Sequence, residues 1–175
     1  MVRGLFKTKS LDSLLAERAR VDPSLRDMGT TMTLAYSIGL DLFLAHAGDS
    51  RAYLCRGGTL RQLTRDHTRV QELVEAGFLT REQAATHRLR NVLTNVLGGG
   101  TTLLDVDVDR VRLSIGDTVL LCSDGLYDVV QDEEITSVLA GTASAQAACR
   151  ALVDLALQRG APDNVTAVVS RYEPA

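Results

Sequence analysis

The sequence predicts an α+β fold in which antiparallel strands gather in groups and amphipathic helices lie between the groups. Three observations carry this expectation. Alternating or continuously apolar runs recur around 32–38, 42–47, 52–63, 103–113, 118–122 and 165–170, as strands require. Helical spacing of apolar residues takes over around 11–15, 70–74, 132–139 and 145–158, and the last of these is long enough to show one apolar stripe. Gly57-Gly58 joins two of the strand runs in the manner of a tight hairpin.

In chain order, Ser10 can cap a first helix, whose Leu11, Leu14 and Leu15 share a face and which ends before Pro23. Met32, Leu34, Tyr36 and Ile38 alternate with polar or small residues and predict a half-buried strand. Leu42 to Ala47 follows after a turn at Gly39 and Asp41, then the hairpin of Ala52–Cys55 and Thr59–Leu63. Val70, Leu73 and Val74 fit a helix that Gly77 stops, and Thr80-Arg81-Glu82-Gln83 is a capping box that opens another. The stretch from Thr86 to Gly100 is irregular. Strands are expected again at Leu103–Val108, Val111–Leu113 and Thr118–Cys122, helices at about Asp132–Leu139 and Ala145–Gln158, and a last strand at Val165–Ser170.

A chain of 175 residues suits one domain, with no repeat and no linker to divide it. The basic stretch Met1 to Lys9 is expected to be a frayed N-terminus. A net charge of −3 argues against nucleic acid as a partner. No apolar run is long enough for a membrane span and no leader is recognisable, so no membrane partner and a cytoplasmic location are expected. Cys55, Cys122 and Cys149 are widely spaced and lack a Cys-x-x-Cys pair. Two of them sit in apolar patterns, which favours buried thiols over a nucleophile.

Chemistry is expected where strands end in aspartate. The apolar run Val119 to Cys122 predicts a buried strand that delivers Asp124 beside Gly125. A carboxylate there is costly to bury unless a positive partner offsets it. No Arg or Lys follows within a few residues, so a metal ion is the alternative. Asp49 in Ala47-Gly48-Asp49-Ser50-Arg51 and Asp163 in Ala161-Pro162-Asp163-Asn164 share this setting. Carboxylates are the ligands that hard divalent ions such as Mg²⁺ and Mn²⁺ prefer. Asp is also common in plain turns, and any one of the three alone would be read that way.

Other patterns are weaker. Asp105, Asp107 and Asp109 imitate a calcium loop, but Arg110 stands at the sixth position and Gly116 at the twelfth, so a strand with a polar face is expected. Gly98-Gly99-Gly100 lacks a following Lys-Ser/Thr and predicts a turn. The three histidines share no ligand spacing; His46 is expected in a strand, and His67 and His87 are expected to be exposed at the flanks of the helical insert.

Six segments in order resemble the metal-dependent serine/threonine phosphatases of the 2C type, in particular their bacterial branch. They are Met28-Gly29-Thr30-Thr31, Ala47 to Tyr53, Leu63-Thr64-Arg65-Asp66-His67, His87 to Gly98, Leu121 to Leu126 and Asp163-Asn164-Val165-Thr166. The resemblance spans about residues 10 to 172. It implies a four-layer α-β-β-α sandwich of two antiparallel sheets, with two or three Mn²⁺ or Mg²⁺ ions at one end. It also implies hydrolysis of phosphoserine and phosphothreonine in proteins by a metal-activated water. On the matching motifs, Asp124 and Asp163 would hold the core metal pair and act catalytically through its water. Asp49 would share a third ion with Asp124. The insert Thr68 to Arg90 corresponds to the family's mobile flap, where Arg88 and Arg90 could meet a phosphoprotein or simply form a solvated face.

The family's Arg-x-x-Asn-Glu-Asp and Asp-Gly-x-Gly-Gly motifs do not occur. The chain is therefore expected to be an N-terminally truncated, incomplete 2C-type domain over residues 1–175, weak or inactive by itself. Missing strands would expose apolar sheet edges and favour self-association. Without a cation, Asp124 and Asp163 should rise in pKa. Two other readings stay open. One is a non-catalytic pseudophosphatase that binds a phosphoprotein or regulatory partner. The other, ranked last, is a structural calcium-binding domain.

Overall fold

The computed structural model describes residues 8–98 and 104–174. These form two compact units that interleave along the chain. The first is built from the described residues of 1–35, 44–49 and 66–109, the second from those of 36–43, 50–65 and 110–175. A three-stranded sheet has the order β2 (Met32–Ile38), β3 (Asp41–Ala47) and β7 (Asp107–Arg112).

The second unit is centred on a four-stranded sheet in the order β5-β4-β8-β9. Its strands are β4 (Arg51–Arg56), β5 (Thr59–Gln62), β8 (Thr118–Cys122) and β9 (Ala167–Arg171). Every neighbouring pair in it is antiparallel, with Tyr53 opposite both Gln62 and Leu120, and Leu121 opposite Val168. Gly57 and Gly58 close the expected hairpin at φ +56° and +77°, a pair of left-handed residues that suits the strand twist and that glycine adopts without strain.

Two helices supply the apolar layer of this unit, α5 (Asp132–Gly141) and α6 (Ala145–Gln158). Ile135 and Leu139 of α5, and Ala148, Leu152 and Ala156 of α6, are buried with Tyr53, Leu120, Cys122, Leu126 and Val130 in one cluster. The i, i+4 recurrence at 148, 152 and 156 is what puts these three side chains on one face. Ser144 caps α6 by accepting the Ala147 amide, 3.1 Å. Beyond its C-terminus, Arg159 pairs with Glu134 and donates to the Val129 carbonyl, 2.6 Å. Cys55 and Cys122 are buried and Cys149 half-buried, as packing residues should be.

The first unit holds α1 (Thr8–Val21), which packs against β6 (Leu97–Gly98), and the strand pair of β1 (Gly29–Thr30) with β6. Asp12 on α1 accepts the Gly98 amide, 2.8 Å. The helical insert is α2 (Arg69–Glu75) and α3 (Arg81–Ala85). Thr68 caps α2, and Thr80 with Gln83 forms the expected capping box. The base of the insert is closed by a bridge between Thr68 and Leu93 and by the Arg69 amide on the Val92 carbonyl, 2.8 Å.

Several expectations change. The helix α1 begins at Thr8, so Ser10 lies inside it and does not cap it; the rest of the expected frayed end, like Gly99 and Gly100 of the glycine turn, lies outside the described residues. The strands expected at 103–108 and 111–113 are one strand, Asp107–Arg112; Leu103 lies outside the described residues and 104–106 is not strand. The cause is Asn95, whose side chain donates to the Asp105 carbonyl and accepts its amide at 3.3 Å, occupying the groups a strand partner would need. In β2 the alternation is correct but Leu34, Tyr36 and Ile38 are exposed. His67 is buried rather than exposed.

Candidate metal centre

The strand β8 is buried along nearly its whole length and ends at Cys122; Ser123 follows at the N-cap of a one-turn helix, α4 (Asp124–Tyr127). Asp124 therefore stands at the mouth of the sheet, as expected. Its Oδ1 accepts the Gly125 amide, 2.9 Å. Asp163 lies in the loop between α6 and β9, where its Oδ1 accepts the Asn164 amide, 2.7 Å. Each carboxylate is thus oriented by the backbone of the next residue.

The two loops are stitched together by Ser123, which sequence reasoning passed over. Its hydroxyl donates to the Asn164 carbonyl (3.1 Å) and accepts the Thr166 amide (3.0 Å), while its own amide donates to the Thr166 carbonyl (3.2 Å). Gly125 also joins the two loops. A Cβ there would lie 2.4 Å from the Asn164 carbonyl oxygen and 3.3 Å from that of Asp163, so glycine permits close approach of the second loop. Ser123→Ala should cost about 1 kcal/mol, the net worth of a partly solvated hydrogen-bonded hydroxyl. It should also speed amide exchange at Asn164 and Thr166 while leaving the middle of α6 protected, as hydrogen-exchange mass spectrometry or NMR would show.

Burial pushes the Asp124 carboxyl above its usual range, the Gly125 amide opposes that, and the negative charges of Asp163 and Asp128 push it further up. Two hard oxygen donors that repel one another when ionised are the chemistry a divalent cation relieves. The pair fits such an ion as part of a ligand set. Among the described residues, no three His, Cys, Asp or Glu side chains gather closely enough to hold a metal ion by themselves.

Arg51 lies beside this end of the sheet, opposite Cys122 in the β4–β8 register. Its guanidinium sits 3.6 Å over the Tyr127 ring and donates to the Tyr53 hydroxyl, 2.9 Å. Burial, foremost, raises the pKa of that hydroxyl strongly. The signal for Arg51 was its place in the Gly-Asp-Ser-Arg segment, two residues past a candidate ligand.

Asp49, the third expected ligand, belongs to the first unit. It follows β3 directly after Gly48, which has φ +114°. A Cβ at Gly48 would fall 2.4 Å from the Thr31 methyl. His67 holds both backbone polar groups of Gly48. Arg88 and Arg90, at the end of the insert, are exposed.

The protein phosphatase 2C family matches residues 4–76 and 107–165. The serine/threonine protein phosphatase PstP of Mycobacterium tuberculosis is 43% identical over 159 residues, covering 91% of this chain and 30% of its own length. The serine/threonine phosphatase stp of Listeria welshimeri is 36% identical over 151 residues, covering 86% of this chain and 60% of its own. The chain thus spans between 30% and 60% of the length of these relatives. Among solved structures, the catalytic domain of PstP in complex with two manganese ions superposes with a TM-score of 0.83 at 38% identity, over 93% of this chain and 67% of that one. The chain belongs to the protein phosphatase 2C family.

Proposed function

We propose that this chain carries part of a metal-dependent phosphatase site, for hydrolysis of phosphoserine and phosphothreonine in proteins, and that alone it turns over weakly or not at all. The observation behind this reading is the Asp124–Asp163 pair, held by Ser123 and the close approach at Gly125. Asp124 and Asp163 would hold a core pair of Mn²⁺ or Mg²⁺ ions and Asp49 would help hold a third. Such ions supply positive charge against phosphoryl oxygens and lower the pKa of water. The chain's own contribution is to fix two carboxylate oxygens on backbone amides and to keep Asp124 half-buried, where its charge acts more strongly. Weak turnover follows from the missing Arg-x-x-Asn-Glu-Asp and Asp-Gly-x-Gly-Gly segments, which leave the described acidic set short of a full shell.

The test joins thermal melts with p-nitrophenyl phosphate hydrolysis, in Mn²⁺ and in EDTA, for the wild type and Asp124→Ala. Mn²⁺ should raise the melting temperature of the wild type and not of Asp124→Ala, because an ion that binds only the folded state stabilises it. Hydrolysis should stay near background. Strong Mn²⁺-dependent turnover lost in Asp124→Ala would overturn the low-activity claim and keep the metal site. No response of the wild type to Mn²⁺ would remove the metal site and leave the non-catalytic binding module as the reading.

A further inference from the structure

We propose that His67 is a positioning residue: its ring holds the Gly48–Asp49 turn and so aims the Asp49 carboxylate. The proposal rests on the reading above that Asp49 is a metal ligand. All the groups involved lie within the first unit.

His67 is 4% exposed and directly precedes Thr68, the cap of α2. Its main-chain amide donates to the Gly48 carbonyl, 2.7 Å. Its ring Nδ1 lies 3.2 Å from the Gly48 amide nitrogen and 2.8 Å from Asn95 Nδ2. Two N–H donors converge on Nδ1, so that nitrogen carries the lone pair and the ring proton sits on Nε2. Nε2 in turn lies 3.1 Å from Asp107 Oδ2, which fixes the ring orientation from the far side. The ring of His46, 1% exposed, packs 5.0 Å away at 43°, and its own Nδ1 is bonded to Thr33 Oγ1 at 2.9 Å. The imidazole is therefore held through Asn95, Asp107 and His46 while its Nδ1 meets the Gly48 amide.

Backbone pairing alone accounts for one of Gly48's two polar groups. The other, its amide, is answered by a side chain on a segment 19 residues away. The residue so held has a left-handed φ and immediately precedes Asp49. A carboxylate one residue beyond a turn follows that turn's rotation, so loss of the Nδ1 acceptor lets Asp49 swing without removing any part of it.

Two variants separate this from simple packing. In His67→Asn the side-chain amide reaches only as far as Nδ1 and can present an acceptor to Gly48. In His67→Gln it reaches as far as Nε2 and can donate to Asp107, leaving the Gly48 amide without its acceptor. The full chain, ¹⁵N-labelled, would be studied as wild type, both variants and Asp49→Asn, with two readouts: hydrogen exchange of the Gly48 amide, and Mn²⁺-induced broadening of the residue 49 resonance. Exchange of Gly48 should rise about tenfold in His67→Gln, as loss of one hydrogen bond implies, and stay near wild type in His67→Asn. The Mn²⁺ concentration for half-broadening should rise by about tenfold or more in His67→Gln only, the size of effect seen when the group orienting a ligand is lost.

Equal behaviour of the two variants in Gly48 exchange, including global unfolding of both, would make His67 a packing residue and overturn the proposal. Equal Mn²⁺ response despite different exchange would overturn the aiming of Asp49. The Asp49→Asn control keeps the two claims apart. If it leaves the broadening of residues 48 and 50 unchanged, the ligand reading fails, and the exchange arm still decides whether His67 holds the turn.

Discussion

Gly48→Ala should cost about 3–5 kcal/mol, adding backbone strain at a φ that L residues rarely adopt to the overpacking of a filled space. The φ is +114°, and the new methyl would meet Thr31 Cγ2 at 2.4 Å, Cβ at 2.5 Å and Cα at 3.0 Å. The last two contacts are close to the main chain, so a rotamer change at Thr31 cannot relieve them. Gly125→Ala makes a useful contrast. Its glycine has no positive φ, and the nearest conflict is the approach of the Asn164 and Asp163 carbonyls. It should cost about 1–3 kcal/mol, by displacing the Asp163 loop. A cycle with Thr31→Gly checks the division at position 48: the double variant should recover the steric share, about 1–2 kcal/mol, and not the strain. Urea unfolding of the four proteins measures this. A Gly48→Ala loss below about 1 kcal/mol would show that the turn relaxes cheaply, and would weaken the view that it is held from several sides.

Much of the fold was legible because local chemistry and tertiary demand agree there. The Gly57-Gly58 hairpin, the Thr80 capping box and the buried strand ending at Cys122 are each specified by their own residues. Errors arose where a distant group decides. Nothing near 104–106 announces that Asn95 takes the backbone groups of Asp105. The two-residue pair β1–β6 is too short for a period to show. In β2 the alternation of Leu34, Tyr36 and Ile38 gave the strand but not its burial, which depends on what lies over the face.

The site divides in the same way. Asp124 and Asp163 could be singled out because each stands beside Gly or Pro where the backbone bends next to a strand, and because the same setting recurs. Ser123, Gly125 and His67 could not be given their roles, since each acts on a loop 19 to 43 residues away. His67 in particular was expected at the surface, because a lone histidine beside a helical insert carries no sign of the Gly48 amide that meets it. The signal that existed was membership in the matched segments, which gives a residue importance without giving it a mechanism.

Asp117→Ala should cost about 2–4 kcal/mol, because one buried carboxylate there joins three parts of the second unit. Asp117 is 2% exposed. Its Oδ1 accepts Arg56 Nε at 2.9 Å, and its Oδ2 accepts Arg56 Nη2 at 2.6 Å and the Ser114 amide at 2.8 Å. Arg56 Nη2 also donates to the Arg112 carbonyl, 2.9 Å, and the Asp117 carbonyl accepts the Tyr172 amide, 2.9 Å. The end of β4, the turn before β8 and the chain beyond β9 thus meet at this residue. The Arg56 hydrogen bond, first, and the Ser114 amide hold the carboxyl below its usual value of 3.8 against the opposing effect of burial.

The sign of the pH dependence follows. A pKa lowered in the folded state contributes stability that is complete above the unfolded value and is lost as pH falls through the folded one. The gap in unfolding free energy between wild type and Asp117→Ala should therefore be constant from pH 7 to about 5 and close as pH falls below about 3.8. Arg56, whose side chain is 48% exposed, is the second probe. In Arg56→Ala, moving from pH 7 to pH 3 should destabilise less than it does in the wild type, because the carboxyl has lost its main reason to stay ionised. Chemical denaturation at four pH values reads both. A wild-type to Asp117→Ala gap that stayed flat down to pH 2 would mean that packing around the turn, and not the charge, holds these segments together.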